Sequence, residues 1–364
     1  MKICIVTPSF VGGGAERIAV NLANCYAAQG YDVVLLAFKA AGPYVNQINQ
    51  SVRVINLNSR TRYVLFKLRR ALKNEQPTHI LSVIRSSNIL LGLYGLFWKN
   101  SRLVFREAST MNAVVAMPPF RRLIYKTLMR IAYSRASRII ANSDDTKQDL
   151  ISHGIVPQRC IVVIGNPVLP PDYEQLANEA VDHPWLHEPQ LRVILTVGRL
   201  HKLKNQAMLI RAFAKIANDI DNLRLIILGE GEERDNLLAL AKELGVGEKM
   251  DIVPFRTNPY PFYKNAELFV LTSDWEGFGN VLVEAMACGT PVISTDCPGG
   301  PRTILGNGRF GALVPVGDVD ALAGAVVTLV DSETCNVEML RNHTSRYAID
   351  WIANHYMAAL KEAG

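Results

Sequence analysis

The feature that most constrains this chain is a repeated alternation of short apolar runs with helical stretches. Lys2–Thr7, Asp32–Phe38, Val52–Leu57, His79–Ile84, Arg102–Arg106, Arg138–Ala141 and Cys160–Ile164 are short runs rich in β-branched residues. Stretches of helical spacing such as Ala15–Gln29 and Arg121–Ser134 lie between them. The scheme then starts again with Arg192–Val197, Arg224–Leu228, Met250–Val253, Leu268–Leu271 and Pro291–Ser294. Apolar strands alternating with amphipathic helices predict parallel sheets covered on both faces, an α/β fold.

Two such series in 364 residues predict two Rossmann-like domains in tandem. Asn166-Pro167-Val168-Leu169-Pro170-Pro171 breaks the alternation, and Asp182-His183-Pro184-Trp185 lies in a polar stretch before the next strand. Proline-rich breaks mark linkers. The expected domains are therefore 1–168 and 169–346. Residues 347–364 form a last, helical segment that is a candidate to cross back to the first domain.

Composition narrows the class. Hydrophobic residues make up 49% of the chain and charged residues 20%, which excludes a disordered or fibrous protein. The N-terminal residues lack the apolar length and cleavage site of a secretory signal, and no window reaches 18 uninterrupted apolar residues. Six scattered cysteines without a C-x-x-C pair fit neither a zinc site nor a disulfide framework. The expectation is a cytoplasmic protein.

The net charge of +6 hides an asymmetry: residues 1–168 carry +15 and the remainder −9. Fields of opposite sign attract different partners. Arg60-Thr61-Arg62-Tyr63-Val64-Leu65-Phe66-Lys67-Leu68-Arg69-Arg70 and Phe120-Arg121-Arg122-Leu123-Ile124-Tyr125-Lys126 hold much of the basic excess. Cations interleaved with aromatic and aliphatic residues on helical spacing suit an anionic membrane surface. Solvated helix faces are the alternative. No zinc motif or aromatic RNA-binding signature accompanies the charge, so nucleic acid is not an expected partner.

Three strand-following loops carry chemistry. Gly12-Gly13-Gly14-Ala15-Glu16-Arg17 opens a helix after the first strand, where backbone amides can approach an anion. Position 17 is Arg17 rather than glycine and no acidic ribose anchor ends the second strand, which disfavours a nicotinamide dinucleotide. Val197-Gly198-Arg199-Leu200-His201-Lys202-Leu203-Lys204-Asn205 places Arg199 and Lys204 beyond a strand end. A guanidinium fork and a flexible ammonium suit a diphosphate. A solvated basic loop is the alternative.

Asp274-Trp275-Glu276-Gly277-Phe278-Gly279-Asn280 leads into a helix that Gly289-Thr290-Pro291 stops. A helix start near Gly279 or Asn280 puts Glu284 in the early turns, leaning back towards Glu276. Carboxylates repel phosphate, so their useful partners are vicinal sugar hydroxyls. A local cap or salt bridge is the other reading of Glu284. The acidic pair Asp144-Asp145 follows Asn142-Ser143 at a helix start, which helix capping explains better than a metal. Paired glutamates also evoke a glycosidase, but diphosphate cations and a Gly-rich loop have no task in that chemistry.

These segments, with Pro291-Val292-Ile293-Ser294-Thr295-Asp296-Cys297-Pro298-Gly299-Gly300-Pro301-Arg302, resemble the group 1 glycosyltransferases, glycosyltransferase family 4. They span nearly the whole chain in family order. The resemblance implies a GT-B architecture, with two Rossmann-like domains and a donor cleft between them. It implies retaining transfer from a nucleotide diphosphate sugar without a metal or other cofactor.

Carried onto this sequence, it assigns Arg199 and Lys204 to the donor diphosphate, Glu284 to the ribose and Glu276 to the donor sugar. Phe278, Gly279 and Asn280 would support phosphates and sugar, and Gly13 and Gly14 would approach the β-phosphate. Glu230 and Arg256 would line the nucleotide end. Many members carry a histidine after an N-domain strand; here the stretch reads Val104-Phe105-Arg106-Glu107-Ala108-Ser109, so Arg106 and Glu107 are the candidates for that space. The branch resembled builds lipid-linked and surface glycans. This implies a UDP-linked N-acetylhexosamine or hexose, a lipid-diphosphate-linked acceptor and a peripheral position on the cytoplasmic membrane face. A sugar-nucleotide epimerase and a non-catalytic sugar-nucleotide-binding protein share the donor features and are the alternatives.

Overall fold

The computed structural model describes residues 1–10, 14–59, 64–95, 100–331 and 336–362. Gly12, Gly13, the basic residues Arg60 and Arg62, and Cys335 lie outside the described residues. The chain divides into two units, Met1–Val168 with Tyr347–Gly364, and Leu169–Arg346.

The first unit is built on seven parallel strands in the order β3-β2-β1-β4-β5-β6-β7. They are β1 Lys2–Thr7, β2 Asp32–Ala37, β3 Arg53–Asn56, β4 His79–Ser82, β5 Arg102–Glu107, β6 Arg138–Ala141 and β7 Ile161–Val163. The register sets Lys2 beside Asp32 and Ile3 beside both Val33 and His79. Period-two alternation sorts side chains between the faces. Ile3 and Ile5 enter one core with the helix Gly14–Ala28, whereas Cys4 and Val6 enter a second core under Val64–Glu75, Arg85–Tyr94 and Pro119–Tyr133.

The last helix, Ile349–Lys361, completes the first of these cores. Ile349, Ile352, Ala353, Tyr356, Met357 and Leu360 recur at helical spacing and are all buried. Tyr26 donates its hydroxyl to the Ala353 carbonyl (3.0 Å), and the Val168 amide donates to the Tyr347 carbonyl (2.9 Å). Full burial of a large aliphatic side chain is worth about 1.5–3 kcal/mol, so this helix is integral to the unit rather than an appendage.

The second unit has six parallel strands in the order β10-β9-β8-β11-β12-β13. They are β8 Arg192–Val197, β9 Leu223–Leu228, β10 Met250–Val253, β11 Leu268–Leu271, β12 Val292–Thr295 and β13 Ala312–Val314. The edge strand β13 lies outside the expected set: its three residues are too few to show a period. The chain adds β9 and β10 on one side of β8, then returns to lay β11 against the other side. The sheet therefore has a topological switch between β8 and β11, where a crevice opens beyond the strand ends.

Candidate functional site

The loops leaving β8 and β11 are fastened together at this switch point. The amide of Asp274 donates to the Leu203 carbonyl (2.9 Å), and Thr272 Oγ1 donates to the Lys204 carbonyl (3.1 Å). Asn205 adopts a left-handed φ of 46° and caps the helix Gln206–Ile216 by accepting from the Met208 amide (3.3 Å). Asparagine is one of the few residues that tolerates that conformation. Its Nδ2 donates to Asp274 Oδ1 (2.7 Å), which sews the helix start to the second loop.

Across this seam Lys204 Nζ donates to Glu276 Oε1, and Ser273 Oγ donates to the same oxygen (2.6 Å). Glu276 is buried, whereas its lysine partner keeps 29% of its side chain exposed. The loop Pro298-Gly299-Gly300 lies directly against the Glu276 segment. The Glu276 amide donates to the Pro298 carbonyl (3.1 Å). A Cβ on Gly299 would collide with the Glu276 carbonyl, and one on Gly300 with that of Phe278.

Glu276 is followed by the helix Asn280–Ala287, entered through Gly279 at a φ of 97°. An L side chain there is strained, so glycine is required for the chain to turn into the helix. Among the described residues no side chain caps this helix, and its N-terminus favours negative charge. Glu284, one turn in and buried, accepts from the hydroxyl of Tyr263 (2.9 Å). Burial, then the neighbouring Glu284 carboxylate, pushes the Tyr263 phenol well above its usual pKa. Tyr263 is thus a protonated donor that orients Glu284.

Arg199 is exposed on the β8 loop. The turn Gly229-Glu230-Gly231 packs backbone to backbone on it: the Leu200 amide donates to the Glu230 carbonyl (2.8 Å), and a Cβ on Gly229 or Gly231 would strike that loop. Glu230 is exposed in that turn. The structure therefore gathers Arg199, Lys204, Glu230, Glu276, Phe278, Gly279, Asn280 and Glu284 on the loops and helices that follow the strands of one sheet. Arg256 follows β10 on the same side, and its guanidinium is paired with Asp182 (3.2 Å). Ser273, Tyr263 and Asn205 hold this constellation in shape, and of these Ser273 and Tyr263 lie outside the motifs that the sequence offers. Only Asn205, directly before a helical pattern, carried a local signal, that of an N-cap.

The first unit presents a different picture. Gly14 is exposed at the start of the helix Gly14–Ala28. Arg106 lies in the interior, where Nε donates to the Tyr356 hydroxyl (3.1 Å), Nη1 to the Val83 carbonyl (3.1 Å) and Nη2 to Asn166 Oδ1 (2.7 Å). Glu107 is fully buried: Arg85 Nε (3.0 Å) and the Tyr133 hydroxyl (2.5 Å) donate to Oε2, and the amides of Ala108 and Ser109 to Oε1. Burial works against the Arg85 charge, but the Glu107 carboxylate more than offsets it and raises the pKa further. The same guanidinium donates to the carbonyls of Ser109 and Thr110. Both residues of the expected histidine site are thus bound into the fold, with Glu107 shaping the loop that follows β5.

At the helix Asp144–Ser152, Ser143 Oγ caps by accepting from the Thr146 amide (3.2 Å), with Asp144 and Asp145 in the first turn. Among the described residues no group of three or more His, Cys, Asp or Glu side chains could hold a metal ion. No helix of the described residues is long and apolar enough to cross a membrane.

Comparison with known proteins agrees with this arrangement. The family model "Glycosyl transferases group 1" matches residues 178–351, and "Glycosyltransferase Family 4" matches residues 12–170. The chain is 36% identical over 239 residues to the Campylobacter jejuni N-acetylgalactosamine-N,N'-diacetylbacillosaminyl-diphospho-undecaprenol 4-alpha-N-acetylgalactosaminyltransferase. That match covers 65% of this chain and 63% of the relative, so the chain spans less than two thirds of that enzyme. It is 26% identical to the lipopolysaccharide core biosynthesis glycosyltransferase LpsE of Rhizobium meliloti, over 96% of each. The Anabaena HepE structure in complex with UDP and glucose superposes with a TM-score of 0.80 over 99% of both chains, at 21% identity. Two parallel-sheet units, the switch-point loops and both family models lead to one conclusion: the chain belongs to the group 1 glycosyltransferases, glycosyltransferase family 4.

Proposed function

We propose that the switch-point crevice of the second unit binds a nucleotide diphosphate sugar. The chain transfers that sugar, with retention of anomeric configuration, to a hydroxyl of a lipid-diphosphate-linked glycan. The observation that carries this reading is the Lys204–Glu276 pair, set beside exposed Arg199 and the start of the helix Asn280–Ala287. Two cations and a helix N-terminus meet the diphosphate, while two oriented carboxylates meet hydroxyls.

In this mechanism the bond between the anomeric carbon and the phosphate oxygen breaks, and one to the acceptor oxygen forms on the same face. The acceptor proton passes to the departing phosphate. Arg199, Lys204 and the helix start stabilise the charge that develops there, so no metal is required. Glu276 holds sugar hydroxyls and Glu284, fixed by Tyr263, holds the ribose. Glu230 and Arg256 would border the base.

The donor is best read as UDP-linked, with N-acetylhexosamine favoured over hexose. The Campylobacter relative is named for N-acetylgalactosaminyl transfer to a diphospho-undecaprenol-linked sugar, and the Anabaena protein holds UDP and glucose. A lipid-diphosphate-linked acceptor supports the further reading that the chain works at the cytoplasmic face of a membrane.

A panel of sugar nucleotides, each followed by thermal melting and by product analysis with a chelator present, tests the reading. A UDP-sugar should raise the melting temperature by mass action and transfer to a polyprenyl-diphosphate sugar as the retained anomer. An inverted product or an absolute metal requirement would overturn the mechanism. Isomerised donor without transfer would identify an epimerase instead.

A further inference from the structure

We propose that the second unit carries a second ligand site, separate from the switch-point crevice, that takes a small phosphorylated sugar. The site is an open cavity of about 450 Å³ between the loop that follows the helix Pro301–Ile304 and the helix Val337–Thr344. Ligand pockets commonly span ~300–1,000 Å³. One ring pair anchors the lining. Gly306 turns with a left-handed φ of 56°, and a Cβ there would come within 2.8 Å of the Phe310 ring, so glycine makes room for that ring. Phe310 stacks on His343, with 3.6 Å between centroids and 13° between planes. His343 is buried and held in turn by the Ile304 carbonyl, to which its Nε2 donates (2.7 Å). None of the residues gathered at the switch point lines this cavity.

Charge and hydrogen-bonding capacity identify the ligand. The Arg309 guanidinium stands 5.2 Å from the Phe310 ring centroid, a cation–π contact that positions it without using its N–H donors. Arg346 borders the same cavity. Among the described residues neither arginine makes an ion pair or a side-chain hydrogen bond. A single unpaired arginine is ordinary on a surface, but two on one cavity set up a positive field. Burial depresses the His343 imidazole, and both guanidiniums depress it further against the pull of the Ile304 carbonyl. Two guanidinium forks suit the oxygens of a phosphate monoester.

Hydroxyl chemistry comes from the helix side. Glu338 lines the cavity and, among the described residues, pairs with neither arginine. Its carboxylate repels phosphate but accepts from hydroxyls. Asn336 uses its Oδ1 on the Met339 amide (2.9 Å), which leaves Nδ2 to donate, and the Asn342 amide can donate and accept. Phosphate recognition beside hydroxyl recognition is the chemistry of a sugar phosphate. Phe310 is already engaged by His343 and Arg309, which disfavours a stacked nucleobase. This inference uses no residue of the donor reading, so the two stand or fall separately.

The test is isothermal titration calorimetry of the full chain in excess UDP, with glucose 6-phosphate, inorganic phosphate and glucose as probes. Glucose 6-phosphate should bind once per chain, about tenfold or more tightly than inorganic phosphate, while glucose alone should not bind. Arg309→Ala with Arg346→Ala should weaken glucose 6-phosphate about tenfold or more. Its melting temperature and its stabilisation by UDP should stay close to the wild type, since both side chains are exposed. Glu338→Gln should weaken glucose 6-phosphate but not inorganic phosphate. Absence of glucose 6-phosphate binding, displacement of it by UDP, equal affinity for inorganic phosphate, or full binding by the arginine double variant would each overturn the proposal.

Discussion

Lys204 and Glu276, 72 residues apart, form an ion pair between the loop that leaves β8 and the loop that leaves β11. The pair is the electrostatic centre of the switch point: a largely buried carboxylate is neutralised by an ammonium that still reaches solvent. An incoming diphosphate would compete with Glu276 for that ammonium, and a sugar hydroxyl could then occupy the carboxylate.

Lys204→Ala should therefore harm both binding and stability. It strands the Glu276 carboxylate with Ser273 as its remaining side-chain donor, a loss of about 1–3 kcal/mol. Transfer activity should fall about a hundredfold or more. The double variant Lys204→Met, Glu276→Gln should recover most of the stability and none of the activity. Urea denaturation beside an initial-rate assay separates the two effects, and recovery of both would sink the assignment.

Tyr263→Phe removes the hydroxyl that donates to Glu284. Hydrogen bonds to charged groups contribute about 1.5–3 kcal/mol, so denaturation midpoints should drop accordingly. If Glu284 holds the ribose, the donor KM should rise more than kcat falls. A variant with a changed kcat and an unchanged donor KM would place Glu284 elsewhere.

Glu107→Gln probes the first unit. It breaks the buried contact with Arg85 and weakens the frame of the Ala108–Met111 loop, at a cost of about 3 kcal/mol. Stabilisation of the protein by UDP should be unchanged, because the cations proposed to hold the diphosphate, Arg199 and Lys204, lie in the second unit. Loss of that stabilisation, measured by thermal melting, would assign Glu107 a direct donor role.

His343 makes the second unit sensitive to acid. Its ring stacks on Phe310 (3.6 Å) and its Nε2 donates to the Ile304 carbonyl (2.7 Å). Burial pushes the imidazole below its ordinary value, the Ile304 carbonyl partly opposes this, and Arg346 and Arg309 push it lower still. The unfolded chain then binds more protons than the folded one. Stability from this group is present above the ordinary histidine pKa of about 6.5 and is lost as pH falls through it. His343→Gln should flatten the stability profile below that pH. An unchanged profile would exclude His343 as the source.

Thiol labelling offers a check on burial. Cys4, Cys288 and Cys297 are buried, and desolvation pushes each thiol up to about 12; Cys25, hydrogen-bonded to Asp350, rises equally. In the folded protein these four should resist alkylation at neutral pH while half-buried Cys160 reacts. Rapid labelling of Cys4 in native buffer would contradict the core described for the first sheet.

The strands were legible because each is a short apolar run with a turn at its end, and twelve of them, β1 to β12, lie within a residue or two of their expected bounds. The helix start at Asn280 was legible from Gly279, since glycine before an apolar run is a backbone signal. Partnerships across the chain were not. Nothing local announces that Lys204 meets Glu276, or that Tyr263 serves Glu284, because these contacts are created by sheet order. Arg106 is the instructive case. It stands where many family members carry histidine, which makes it a candidate for that space, and its guanidinium is bonded to Val83, Asn166 and Tyr356, from three distant parts of the chain.

The return of Ile349–Lys361 to the first sheet has a consequence for how the chain is made. The second unit is one uninterrupted stretch of sequence, inserted in the chain between two segments of the first unit, so the helix Ile349–Lys361 is synthesised after it. During translation the second unit can finish first, while the partner surfaces of Tyr26 and Arg106 stay uncovered until residue 356 leaves the ribosome. Of these two units, the one that begins earlier closes later.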